Sequence, residues 1–256
     1  MNPLPTNAVL RTRDGVRLTA DVYRPSDTPR GAAVIAHGFT GTRRHRGVRE
    51  QAIALQERGL AVVVHDARGH GDSDGACSLG ALEPFDIEAA VDHARTFSDQ
   101  VTVVGASMGA IGALRYAADH PDIDGVVAVS GPAAWELPRN ARGLLAATMT
   151  QTRPGRALTK RYRGVTIAPG FTHAEPPVEL VTRITSPLAI VHGLADRMIP
   201  TKAAFELHEA ATGPRILRVV ARMGHAFEDV GRATVTAAAD WTLSHIQPPA
   251  SDIAAS

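Results

Sequence analysis

Val101-Thr-Val-Val-Gly105-Ala-Ser107-Met-Gly109-Ala110 decides how this chain is read. Residues 101–104 are β-branched, the composition of a buried strand. Residues 110–119 are rich in Ala, Leu and Ile and read as a helix. Between strand and helix stands G-x-S-x-G, with Ser107 on the turn. A serine in that position sits on a tight, strained bend that lifts its hydroxyl above the sheet. The glycines leave room for backbone that side chains would block, and the start of the helix adds positive potential. Ser107 is therefore the candidate nucleophile. The alternative reading is a small-residue turn with an idle serine.

The same rhythm extends outward in both directions. Residues 32–37, 60–66, 125–130 and 187–192 are further short apolar runs, and 216–220 supplies a last strand. Both faces of each run in the first set are apolar, as in strands of a parallel sheet. Helical stretches alternate with them at 47–58, 84–96, 110–119, 202–211 and 233–246. This alternation predicts an α/β fold with a mostly parallel central sheet flanked by helices. Residues 9–24 differ: two alternating runs flank Asp14-Gly15, the signature of an N-terminal antiparallel hairpin. The whole, 1–256, reads as a single domain with a small cap or lid insertion at about 132–183, where no clean strand appears and Pro and Gly are frequent.

A nucleophilic serine needs a base and an acid. In this architecture the chain order is nucleophile, acid, base. Asp196, in Val191-His-Gly-Leu-Ala-Asp196, follows a strand and precedes a helix. His225, in Arg222-Met-Gly-His225-Ala-Phe, follows the last strand. Each member thus follows its own strand, and the C-terminal ends of parallel strands share one rim. The loop His37-Gly38-Phe39-Thr40 follows the strand at 32–37. The oxyanion donors expected there are the backbone N–H groups of Phe39 and of Met108, the residue after the nucleophile.

With these pieces the sequence resembles the α/β-hydrolase-fold serine hydrolases. Asp66-Ala-Arg-Gly-His-Gly-Asp-Ser73 is similar to the D-x-R-G-x-G-x-S segment that many of them carry after the fourth strand. Arg13-Asp-Gly-Val-Arg-Leu-Thr-Ala-Asp-Val-Tyr-Arg-Pro25 resembles the opening of the X-Pro dipeptidyl-peptidase and cocaine-esterase group, whose C-terminal jelly-roll domain has no counterpart here. The resemblance implies cleavage of carboxylic esters by a Ser–His–Asp acyl-enzyme mechanism with no metal or organic cofactor. Two enzymatic alternatives stand beside it: a thioesterase or acyltransferase acting on acyl-CoA or carrier-bound acyl groups, and a small peptidase. From another class, a catalytically silent binding protein on the same fold would have no use for the complete set.

Composition excludes other classes. The chain has 256 residues, 44% hydrophobic and 21% charged, as in ordinary globular proteins. A net charge of +1 gives no case for a nucleic-acid partner or for a membrane-surface protein. The single cysteine, Cys77, allows no intrachain disulfide and no cysteine-built zinc cage, and its Gly/Ser/Asp surroundings mark an inert thiol. Apolar runs of about five residues fall far short of the ~20 that span a membrane. The N-terminus has neither a basic segment nor a long apolar one, so a cytoplasmic protein is expected. The substrate class expected is a small acyl compound.

Charge is nonetheless unevenly spread. Between Glu136 and Glu175 stand Arg139, Arg142, Arg153, Arg156, Lys160, Arg161 and Arg163, with no acidic residue among them. Without those seven, 20 basic side chains face 26 acidic ones, a net charge of −6. The insertion reads either as a solvated cap or as a guard that attracts an anionic substrate. Arg43, Arg44, His45 and Arg46 follow the oxyanion loop and are expected to add positive charge near the mouth. Trp135, Met149, Phe171, Met198, Ile199 and Phe227 are candidates for lining an acyl pocket, with ordinary packing as the alternative for each. His37 and His192 read as strand-end residues, and His65 and His70 as partners within the 66–73 loop. His93, His120, His208 and His245 lie on helices or helix ends. Asp66 and Asp72 could rival Asp196 as the acid but precede Ser107.

Overall fold

The computed structural model describes residues 2–134, 141–170 and 175–245. The chain opens with β1 (Thr6–Arg11) and β2 (Arg17–Tyr23), antiparallel, with Leu10 opposite Leu18. Their connection is five residues long rather than a two-residue turn. Thr12 N–H donates to the Val16 carbonyl, and Gly15 takes φ +85° at the tip. β2 pairs antiparallel with β4 (Leu60–His65), and every later pairing is parallel.

The eight strands lie in the order β1-β2-β4-β3-β5-β6-β7-β8. β3 (Gly31–Ala36) is central: Val34 faces Val63 on one side and Val103 of β5 (Val101–Ala106) on the other. The chain steps outward from β3 to β4, then crosses to β5 and continues the other way through β6 (Gly125–Val129), β7 (Leu188–Gly193) and β8 (Arg215–Val220). The crevice at such a reversal, beyond the carboxyl ends of the strands, is where open α/β sheets place their ligands.

β3 to β7 are buried along their whole lengths. Alternate residues therefore enter different cores, since successive side chains of a strand point to opposite faces. Val34, Val63, Val103 and Val126 pack with Leu114, Leu188 and Leu207 on one face. Ile35, Val62, Val64, Val104 and Val127 pack with Leu55, Val235 and Leu243 on the other. Helices α2 (Glu83–Arg95), α3 (Met108–Asp119) and α7 (Lys202–Ala210) cover the first face; α1 (Arg46–Glu57) and α8 (Arg232–Ser244) cover the second. α1 buries Val48, Gln51, Ala52 and Leu55, one face of a 3.6-residue period. α3 is buried nearly all round because Gly109, Ala110, Gly112 and Ala113 let it lie close on the sheet. Each buried Leu, Ile or Val stabilises the fold by about 1.5–3 kcal/mol over an exposed one. Surface ion pairs contribute at most about 1 kcal/mol, so these two cores hold the structure.

Between β6 and β7 the described residues form α4 (Ala141–Gln151), α5 (Arg153–Arg163) and the short α6 (Pro177–Leu180). Thr152 caps α5, its hydroxyl accepting from Gly155 N–H at 3.0 Å, and Gly164 ends it in the left-handed region. The chain then returns through Val165–Ile167, stitched to the 66–77 loop. Thr166 N–H donates to the Gly69 carbonyl, Cys77 N–H to Thr166, and Ala168 N–H to Cys77. No described helix is long and apolar enough to cross a membrane.

Candidate active site

β5 ends at Ala106 and α3 begins at Met108, so Ser107 alone makes the connection. Its backbone sits at φ 53°, ψ −114°, a conformation that costs a non-glycine residue about 1–3 kcal/mol. The turn is possible only because its flanks lack side chains. A Cβ on Gly105 would run into the Gly109 carbonyl, and one on Gly109 into the Ala36 carbonyl. Ser107 Oγ makes no hydrogen bond to any described residue; it faces a cavity of about 330 Å³ lined also by Gly38, Phe39, His45, Val48, His225 and Phe227.

The candidate acid and base, Asp196 and His225, come from the ends of neighbouring strands β7 and β8. His225 Nδ1–H donates to Asp196 Oδ2 at 2.8 Å, and the Asp196 carboxylate is fully buried. Its other oxygen accepts the N–H groups of Met198 (2.7 Å) and Ile199 (3.0 Å). Burial opposes ionisation of Asp196, but the His225 bond and these amides outweigh it and hold the carboxyl below its usual range. With Nδ1–H committed to Asp196, His225 keeps its Nε2 without a hydrogen-bond partner among the described residues, and it lines the same cavity as Ser107. The loop carrying His225 is fastened to β6: Ala226, at φ 65°, donates its N–H to Ser130 Oγ at 3.2 Å.

His192 adds a contact that sequence reasoning missed. Its side chain is fully buried, with Nε2 3.1 Å from the Ile199 carbonyl and 3.6 Å from Asp196 Oδ2. Burial holds it neutral, pushing its pKa down. Nε2–H therefore points at the acid loop, while Nδ1 is buried without a partner. The spacing His192-x-x-x-Asp196 is the one signal that could have found it.

The amides of Phe39 and Met108 donate to no acceptor among the described residues. The loop bearing Phe39 is braced from behind by neutral histidines. His37 Nδ1–H donates to the Gly38 carbonyl at 2.9 Å, and its Nε2 accepts from Ala67 N–H at 3.0 Å. Burial, and then the neighbouring His70, hold His37 well below the usual imidazole pKa. Thr40 N–H donates to His70 Nε2 at 3.3 Å. Met108, Phe39, Ala67, Cys77, Val165 and Ile167 share one apolar cluster. The return segment after α5 thus packs into the same cluster as the side chains of Phe39 and Met108.

The 66–73 loop has an architectural job. Asp66 is fully buried against Arg43, whose guanidinium also binds Asp21 (3.1 Å) and Asp72 (2.9 Å). Arg68 bridges Asp86 and Asp14, each at 2.8 Å. Neither Asp66 nor Asp72 reaches His225. Of the run expected to bring positive charge to the mouth, Arg46 lines the cavity, and each of the three arginines is ion-paired. Arg43 is 3% exposed and neutralised, Arg44 pairs with Asp72, and Arg46 with Glu50 and Asp229. Apart from Glu50, four residues after Arg46, these carboxylate partners lie far away in sequence, so the run 43–46 does not announce its pairing.

Of the acyl-pocket candidates, Phe227 lines the cavity, whereas Met149, Met198 and Ile199 do not. Met198 and Ile199 serve the acid through their backbone instead. Trp135 and Phe171 lie outside the described residues. No described group of three or more His, Cys, Asp or Glu residues is placed to hold a metal ion. Cys77 is buried, and burial together with the Glu83 carboxylate raises its thiol pKa well above normal.

The family model for serine aminopeptidase, S33, matches residues 27–175. The chain is 26% identical to a monoacylglycerol lipase of Mycolicibacterium smegmatis, over 91% of this chain and 95% of that one. It is 30% identical to cutinase 2 of Thermobifida cellulosilytica, over 68% and 69%. Its fold superposes on a Pyrococcus furiosus esterase, Pf2001, with a TM-score of 0.73 at 21% identity, covering 95% of this chain and 91% of that one.

Proposed function

The chain belongs to the serine aminopeptidase S33 family of α/β-hydrolase-fold enzymes, and from that premise we propose that it hydrolyses carboxylic esters through an acyl-enzyme on Ser107. The observation that carries this reading is the 2.8 Å bond from His225 to a fully buried Asp196, beside a cavity that His225 shares with a strained, unbonded Ser107. Once an ester enters, Ser107 Oγ attacks the carbonyl carbon and His225 Nε2 takes the hydroxyl proton. Asp196 stabilises the resulting imidazolium and fixes its orientation. The Phe39 and Met108 amides receive the oxyanion, each contributing about 3 kcal/mol to lowering the barrier. The carbonyl re-forms, the alcohol leaves with the proton from His225, and water repeats the sequence to release the acid.

The family's name invites a peptidase reading. An aminopeptidase must hold its substrate's α-ammonium group, which calls for a carboxylate in the pocket. The described cavity lining contains no Asp or Glu. The names of the relatives, a lipase and a cutinase, point to esters as well. The acyl-CoA alternative rests on the basic residues of the insertion, none of which is among the described residues that line the cavity.

The test is kcat/KM on short to long acyl esters, matched thioesters and aminoacyl amides, with Ser107→Ala as the blank and fluorophosphonate labelling alongside. Ester turnover and labelling that both vanish in Ser107→Ala are expected. Turnover that survives the substitution would overturn the assignment. Amide cleavage exceeding ester cleavage would restore the peptidase reading.

A further inference from the structure

The helical pair α4–α5 takes no part in the cavity described above, yet it carries the most unusual surface on the molecule. Leu144 (71% exposed), Leu145 (59%), Leu158 (52%) and Tyr162 (70%) all face water. On α5 the packing side is narrow. Gly155 and Thr159 are its buried residues, and the Thr159 hydroxyl bonds to the Gly155 and Met149 carbonyls. At 100° per residue, Pro154, Leu158 and Tyr162 fall in one stripe, while Arg153, Arg156, Lys160 and Arg163 fall on the opposite side. Among the described residues none of these four cations has an acidic partner. A short helix with an aromatic–aliphatic stripe and a cationic face is the form that lies in a lipid–water interface.

We infer that α4–α5 is a docking surface for an anionic phospholipid bilayer. Charge argues for this occupant. A second copy of the chain would bring one basic cap against another. An anionic bilayer instead attracts the cap and repels the rest of the chain, whose net charge is −6. The enzyme would therefore approach cap-first, with Leu158 and Tyr162 entering the interface and the long cationic stems reaching up to the headgroups. This surface stands apart from the catalytic reading, so either can fail alone.

Flotation of the full chain with mixed phosphatidylcholine–phosphatidylglycerol vesicles, and with pure phosphatidylcholine vesicles, tests it. Binding to the mixed vesicles only is expected, with release in about 1 M salt, where the screening length is ~3 Å. Lys160→Glu with Arg163→Glu should weaken binding by at least ~30-fold, since each basic side chain contributes about a fivefold factor near anionic lipid. Leu158→Asp with Tyr162→Asp should abolish it. Circular dichroism spectra and thermal midpoints unchanged in both double variants show that they fold, whatever the outcome for ester turnover. The inference is overturned by no binding to mixed vesicles, by equal binding to neutral ones, or by indifference to both double variants. It is also overturned by a concentration-dependent dimer that Leu158→Asp dissociates, which would make this face a contact between copies.

Discussion

Cys77 Sγ lies 3.5 Å from Met108 Sδ, and both sulfurs are buried in the cluster that Val165 and Ile167 complete. Met108 is also the residue whose amide is proposed to hold the oxyanion, so the cap's return segment bears on catalysis through packing. Ile167→Ala should destabilise the protein by about 2–4 kcal/mol and lower kcat more than it raises KM. Denaturant unfolding and steady-state kinetics read the two effects. The thiol itself is inert: a thiol reagent should label Cys77 only on unfolding.

Ser107 holds a backbone conformation, φ 53° and ψ −114°, that is costly for a residue other than glycine. Ser107→Ala should lower kcat about 10⁵–10⁶-fold with little change in stability. Ser107→Gly should be as inactive yet stabilise the fold by roughly 1 kcal/mol, since relief of about 1–3 kcal/mol of strain exceeds glycine's added chain entropy of about 0.5–1. Urea midpoints of the three proteins check the order.

Asp196 and His192 differ in what they do for His225. Asp196→Asn should lower kcat about 10⁴-fold, because an amide favours the wrong imidazole tautomer. His192 acts one step back, through the Ile199 carbonyl and the acid. His192→Ala should lower kcat about tenfold, leave KM nearly unchanged and shift the pH–rate profile. His192→Asn, which keeps a donor, should recover part of the loss. A variant with normal kcat and an unshifted profile would remove His192 from the site.

Arg43 joins the hairpin to the loops behind the site. Removing one partner of a buried ion pair costs about 3–5 kcal/mol. Arg43→Met leaves the fully buried Asp66 without its cation and should fall in that range by chemical denaturation. Arg43→Lys should recover only part, because an ammonium cannot reach Asp21, Asp66 and Asp72 in the fixed geometry of a guanidinium.

Acid should weaken the fold well above the carboxylate range. Burial pushes the His65 pKa down to about 4, against about 6.5 in an unfolded chain. A depressed folded-state pKa means that the contribution is fully present above about pH 6.5 and is lost as the pH falls towards 4. The loss reaches about 3 kcal/mol. Burial lowers His37, His70 and His192 in the same direction. His65→Phe should flatten the stability–pH curve by about one proton in that window, as measured by urea unfolding at successive pH values.

The sheet was legible because its strands are buried on both faces, which writes continuous apolar runs such as 60–64 into the chain. The strand–Ser107–helix turn was legible because only glycines fit around Ser107, and the proximity of Asp196 and His225 followed from their places after neighbouring strands. Less legible were interactions closed by distant partners. Glu50, four residues after Arg46, is a legible partner, but nothing in the run Arg43–Arg46 signals that Asp21, Asp66, Asp72 and Asp229 pair with it. Ser130 gives no hint that it holds the His225 loop. Met198 and Ile199 look like pocket residues but contribute their amides, a role that any side chain permits. His65 titrates low because of burial alone, which no local motif records.

The insertion also divides the chain chemically. Ser107, Phe39 and Met108 belong to the part before it; Asp196 and His225 belong to the part after it. The two parts meet along β6 and β7, from Val126 opposite Leu188 to Val129 opposite Val191. On the proposed mechanism, a cut within the insertion yields one fragment with the proposed nucleophile and another with the proposed acid and base, so neither should hydrolyse an ester alone. Fused to two proteins that bind each other, they would form a split reporter whose signal is the turnover of a chromogenic ester.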